Sequence, residues 1–228
     1  MPEESSSPFA FYAFYQLYAY YHPGWEPKLS FDAVKQLYPN YVTGSKRTNE
    51  KTSLFITWKK KTSKSDDYDL RGCIGTFAKL PLLKGIEKYS LIAALQDHRF
   101  APIGEKELPK LKCSCNILHS FQTIYGNKKG DIFDWDLGVH GIELTFKDPS
   151  TNRIMSATFL PEVMLEQGWN KEATFTNLIE KAGCLKDVDF LMGHYEEYFI
   201  EVVRYKGDKS QIRFDEFQRL LKAHKNVE

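Results

Sequence analysis

The chain has 228 residues, with 31 Lys and Arg against 30 Asp and Glu, a formal net charge of +1, 42% apolar residues and 27% charged ones. This is the balance of a folded globular chain, and an aromatic content of 14% excludes disorder. Near-neutrality speaks against a protein whose main task is tracking a phosphate backbone, because that task needs a strong positive field.

The acidic, polar start over residues 1–8 reads as a flexible tail, without the basic start and apolar run of a secretory signal. Residues 9–21 (FAFYAFYQLYAYY) read as a helix that is aromatic on nearly every side, hence buried over most of its surface. Its 13 residues fall short of the about 20 apolar residues that a membrane-crossing helix needs. Ser30 is placed to N-cap a short helix ending near Tyr38, and residues 41–52 read as an exposed loop.

TSLFITWKK (residues 52–60) is β-branched and aromatic and predicts a strand. A polar run over 61–69 leads to a second strand, LRGCIGTF (70–77). Pro81 suits the first turn of a helix running to Asp97, with Leu82, Leu83, Ile86, Tyr89, Ala93 and Ala94 as its buried stripe. Strands follow over 113–122, 141–147 and 153–160, the last two joined by the turn residues DPSTN. Pro161 and Glu162 open a helix ending at Gly168, and a helix over 174–182 closes at Gly183. A strand over 197–206 and a helix over 214–224 complete an α+β pattern, mainly antiparallel sheet with flanking helices.

The four cysteines, Cys73, Cys113, Cys115 and Cys184, lack the Cys-x-x-Cys spacing of a zinc module and read as reduced thiols. Asp134-Trp135-Asp136 reads as a solvated loop anchored by tryptophan, and neither a metal nor a cofactor is expected.

LRGCIGTF is the densest chemical stretch. Strict alternation along a strand puts Arg71, Cys73, Gly75 and Phe77 on one face, where the Arg71 guanidinium would favour the Cys73 thiolate. Gly72 and Gly75 mark close approach of a ligand or of other backbone. The bland alternative is a cysteine acting as a small buried hydrophobe. His140, within the Gly138-Val139-His140-Gly141 turn, is either a general base for Cys73 or a buried histidine bonding backbone across that turn. Arg99 either binds an anion or pairs with Asp97.

LRGCIGTF, together with DHRFAP (97–102), GVHGI (138–142), FLPEV (159–163), EQGW (166–169) and KAG (181–183), resembles the AMMECR domain family over nearly the whole chain, in a eukaryotic and fungal-like version. The resemblance implies two lobes around a cleft within a single domain, residues 1–228, with the LRGCIGTF strand near the cleft and residues 28–51 as an insertion or loop by which this chain departs from the family pattern. It also implies residence in cytoplasm and nucleus. Prokaryotic relatives are associated with radical-SAM and Memo-type proteins, which implies a modification pathway without naming a substrate.

The resulting expectation is an interaction or scaffold module for a protein or small-molecule partner. Its binding residues are Arg71, Gly72, Gly75, Thr76 and Arg99. Membrane is excluded and nucleic acid is unsupported by the net charge. The alternative is an enzyme or enzyme accessory with Cys73 as reactive thiol and His140 or Glu143 handling protons.

Overall fold

The computed structural model describes residues 5–24, 28–41, 50–62 and 67–225. The exposed loop expected before residue 52 and the polar turn expected over 61–69 fall partly on 42–49 and 63–66, outside the described residues.

In chain order the elements are α1 (Pro8–Tyr21), α2 (Phe31–Gln36), β1 (Lys51–Lys61), β2 (Tyr68–Pro81), α3 (Leu82–Leu95), a 3-10 helix (Glu105–Lys110), β3 (Leu111–Gly126) and β4 (Lys129–Gly130). These are followed by β5 (Gly141–Lys147), β6 (Ile154–Phe159), α4 (Pro161–Gln167), α5 (Lys171–Lys181), α6 (Val188–Gly193), α7 (Tyr195–Tyr198), β7 (Phe199–Arg213) and α8 (Phe214–Lys225). The fold is α+β with antiparallel strand pairs and flanking helices. The chain forms two compact units, one of residues 1–117 and 208–228, the other of residues 118–207. β3 and β7 each contribute residues to both.

In the first unit the strand order is β2-β1-β3, with β2 at the edge. Ser7 caps α1 by accepting the Ala10 N–H at 3.2 Å, and Pro8 sits where a missing N–H costs nothing. The expected tail over 1–8 therefore ends sooner. Ser7 is fully buried and bonds Ser210 at 2.6 Å, while the Ser5 carbonyl accepts the Gln211 N–H. As its composition predicts, α1 is buried nearly all round, its Phe14 ring lying against Trp58 and Phe217.

Leu54, Ile56 and Trp58 of β1 alternate into this core beside Cys113 and Cys115 of β3. Ser30 caps α2 as expected. Pro81 lies one position earlier than expected: it ends β2 and precedes the first turn of α3.

The second unit holds the strand order β3-β7-β5-β6, with β4 paired to β3. Its core gathers Trp135, Phe146, Phe175 and Leu178. Gly168, at φ 67°, closes α4 and Asn170 caps α5. Two short helices, α6 and α7, occupy a stretch for which no element was expected, and β7 starts later and runs further than expected.

Candidate functional site

The LRGCIGTF residues lie on β2, antiparallel to β1, with Ile56 opposite Ile74, Thr57 opposite Cys73 and Trp58 opposite Gly72. Lys59 is then opposite Leu70, so Arg71 has no partner on β1 and forms a one-residue bulge. The bulge breaks the alternation expected to set Arg71 beside Cys73.

The Arg71 guanidinium goes instead to Glu107, with Nε and Nη2 at 3.1 and 2.9 Å from its carboxylate oxygens. It also donates to the carbonyls of Ala101 and Pro102 at 2.7 and 3.2 Å. Only 14% of the side chain is exposed. These four bonds pin residues 101–107 to the bulge. Glu107 further accepts from Lys60 at 2.6 Å and from the Gly104 N–H at 2.9 Å. Burial pushes its carboxyl up, but Arg71 and Lys60 outweigh burial and hold it at about 2.

Cys73 is half-buried and its thiol shares a hydrogen bond with the Thr57 hydroxyl at 3.1 Å. Its backbone is gripped by residues that follow α3. The Cys73 N–H donates to Asp97 at 2.9 Å, and its carbonyl accepts from Arg99 at 3.1 Å. Arg99 donates through Nε and Nη2 to the same Asp97 carboxylate, at 3.0 and 2.7 Å. This arginine and the N–H groups of Cys73 and Arg99 hold the buried Asp97 carboxyl far below the usual range. The Asp97–Arg99 pair thus supplies one acceptor and one donor at the edge of β2, the groups a neighbouring strand would otherwise supply.

The two glycines of the strand are set by close approach. A Cβ on Gly72 would run into the Ala93 carbonyl of α3, and one on Gly75 into the Phe55 ring and the Leu54 carbonyl. Thr76 uses its hydroxyl to accept the Ala78 N–H.

His140 and Glu143 belong to the second unit, while Cys73 and Arg71 belong to the first. His140 is buried and its Nδ1 accepts the Asp136 N–H at 3.0 Å, which leaves the proton of a neutral ring on Nε2. Burial, then the charges of Arg204 and Lys206, lower its pKa. Glu143 on β5 faces Thr158 of β6 and Val203 of β7. Burial and the nearby Glu201 raise its pKa.

Among the described residues, Asp148, Cys184 and Asp187 are the group whose donor atoms come within 4.8 Å of one another. Both carboxylates are occupied: Asp148 accepts from Ser150 and Thr151, and Asp187 accepts from the Ser150 hydroxyl at 2.5 Å.

Thr57, Lys60 and Glu107 escaped the reading of the sequence. Thr57 was within reach, since FITWK alternates Phe55, Thr57 and Lys59 against the buried Ile56 and Trp58. Nothing local to Glu107 marks it, because Arg71 lies 36 residues away.

The AMMECR1 family model matches residues 27–209. The chain is 58% identical over 230 residues to an uncharacterized protein of Saccharomyces cerevisiae, covering 96% of this chain and 90% of that one. It is 35% identical over 198 residues to an uncharacterized protein of Arabidopsis thaliana, covering 86% and 88%. Among solved structures, an uncharacterized protein from Pyrococcus horikoshii matches with a TM-score of 0.61 at 21% identity, over 89% of each chain, a likeness of fold.

Proposed function

The chain belongs to the AMMECR1 family, and from that footing we propose that it is an interaction or scaffold module whose recognition surface is the LRGCIGTF strand. The observation that carries this reading is the double grip on Cys73. Asp97 and Arg99 hold its N–H and carbonyl, and Thr57 holds its thiol. Such bonding fixes the shape of a surface. Meanwhile Arg71, the residue expected to favour a thiolate, is turned to Glu107. The expected setting is a single domain in cytoplasm and nucleus, with a protein or small-molecule partner.

A photo-crosslinking residue at Phe77, on the Cys73 side of the strand, tests the reading. Specific adducts should form at 77 and not at the exposed Ile154 of the second unit, and they should persist in Cys73→Ser, which keeps a donor toward Thr57. Equal labelling at both positions would overturn it.

A second reading, thiol chemistry at Cys73, draws on its half exposure and on the Arg99 guanidinium bonded to its carbonyl. Iodoacetamide labelling of Cys73 across pH 5–10 separates the two, since Cys113, Cys115 and Cys184 are buried. An ordinary thiol's labelling rate removes the nucleophile.

A further inference from the structure

β2 ends the strand order, so one of its edges has no strand beside it among the described residues. In an antiparallel pair a residue's N–H and C=O point together, either at the partner strand or away from it, and the two kinds of pair alternate. Cys73 directs both groups to Asp97 and Arg99, so its pair with Thr57 is of the outward kind. The close approach of thiol and hydroxyl at 3.1 Å agrees, since side chains sit nearer in such pairs. The register is unbroken from Leu54–Thr76 to Trp58–Gly72, which makes Phe55–Gly75 outward as well. Gly75 therefore turns its N–H and C=O to the edge, about 6.5 Å along the strand from Cys73.

At Cys73 the edge is filled by the Asp97–Arg99 pair. At half-buried Gly75 no backbone or side-chain group among the described residues fills it. Arg99 stands at the boundary between the filled and the open positions. Its side chain is 57% exposed; Nε and Nη2 are bonded to Asp97 and to the Cys73 carbonyl, and Nη1 has no partner among the described residues.

Resting on the interaction reading above, we infer that the β2 edge at Gly75 takes the C-terminal segment of a partner polypeptide as an added antiparallel strand, its terminal carboxylate meeting Arg99. Backbone pairing at Gly75 supplies affinity that is indifferent to sequence. One repeat further on, Asp97 and Arg99 block pairing, so an added strand has to end there. A chain end facing an exposed guanidinium is a free carboxylate, which can accept the Nη1 protons that Asp97 and the Cys73 carbonyl leave open. A strand whose C-terminus points from Gly75 toward Cys73 runs against β2, which sets the antiparallel sense.

The test is selection of random heptapeptides displayed with free C-termini on the full chain, followed by fluorescence polarisation of the enriched peptides. Amidating the terminal carboxylate should weaken binding about tenfold, the loss of one charge-assisted pair. Backbone N-methylation should weaken binding at the peptide residue that pairs with Gly75 and leave its two neighbours unaffected, because their N–H groups point away from β2. Arg99→Gln should erase the preference for acid over amide, and Arg99→Lys should restore part of it, with folding of both checked by circular dichroism. No enrichment, equal binding of acid and amide, enrichment of internal acidic residues in place of the terminus, or a flat N-methyl scan would each overturn the inference. The acid–amide and N-methyl comparisons need only the unaltered chain. A partner that crosslinks at Phe77 yet fails them removes the added strand and leaves the interaction module standing.

Discussion

Two carboxylates organise what is attached to the edge of β2. Glu107 accepts from Arg71, Lys60 and the Gly104 N–H, and Asp97 accepts from Arg99 and the Cys73 N–H. Glu107→Gln keeps the shape and removes the charge, leaving Arg71, 14% exposed, without its counter-charge. The expected cost is about 2–3 kcal/mol at pH 7 by urea denaturation, the scale of a charge-assisted hydrogen bond lost at a largely buried site. Because the folded-state carboxyl is held at about 2, this stabilisation is complete above the ordinary glutamate value of about 4.3 and is lost as pH falls toward 2. The gap between wild type and Glu107→Gln should therefore narrow as pH falls from about 4.5 to 2.5. A gap of constant size would show that the variant acts through packing instead.

At the scale of elements, helices and strands were legible where local chemistry decides them. Ser30 and its cap, the aromatic α1, and the DPSTN hairpin between β5 and β6 are all present. What the sequence hides is set by residues far along the chain. Period-two alternation holds from Gly72 to Thr76 and fails at Arg71, because a bulge is one extra residue and has no composition of its own. That single slip separates Arg71 from Cys73 and hands it to Glu107. Residues 207–213 (GDKSQIR) lie beyond the strand expected over 197–206 but continue β7, a consequence of sheet pairing that local propensity does not encode.

The Gly72 close approach gives a test at this scale. Gly72→Ala drives a methyl group into the Ala93 carbonyl, so α3 has to move off β2, at a cost of about 1–3 kcal/mol. Amide exchange should quicken in α3 and at Cys73, whose N–H is bonded to Asp97 just beyond that helix, and should stay unchanged in α5. Uniform quickening throughout would count against a local wedge.

For the whole molecule, a formal charge of +1 at pH 7 gives no strong field near neutrality, so the loss of stability on acidification begins at particular groups. Those groups fall into two sets. His140 is the buried histidine among six, and its folded-state pKa is lowered by burial first and then by Arg204 and Lys206. The unfolded chain therefore takes up that proton before the folded one does, and stability is lost as pH drops below about 6.5. Asp97, Glu107 and Asp148 are shifted down by their hydrogen-bond partners, so what they contribute persists until pH falls below about 4. A plot of thermal midpoint against pH from 8 to 2.5 should thus descend in two separate stages. His140→Asn, whose side-chain oxygen can still accept the Asp136 N–H, should erase the upper stage and leave the lower one in place. An upper stage that survives in His140→Asn would assign it to the exposed or half-exposed histidines and would remove His140 as the source of pH sensitivity near neutrality.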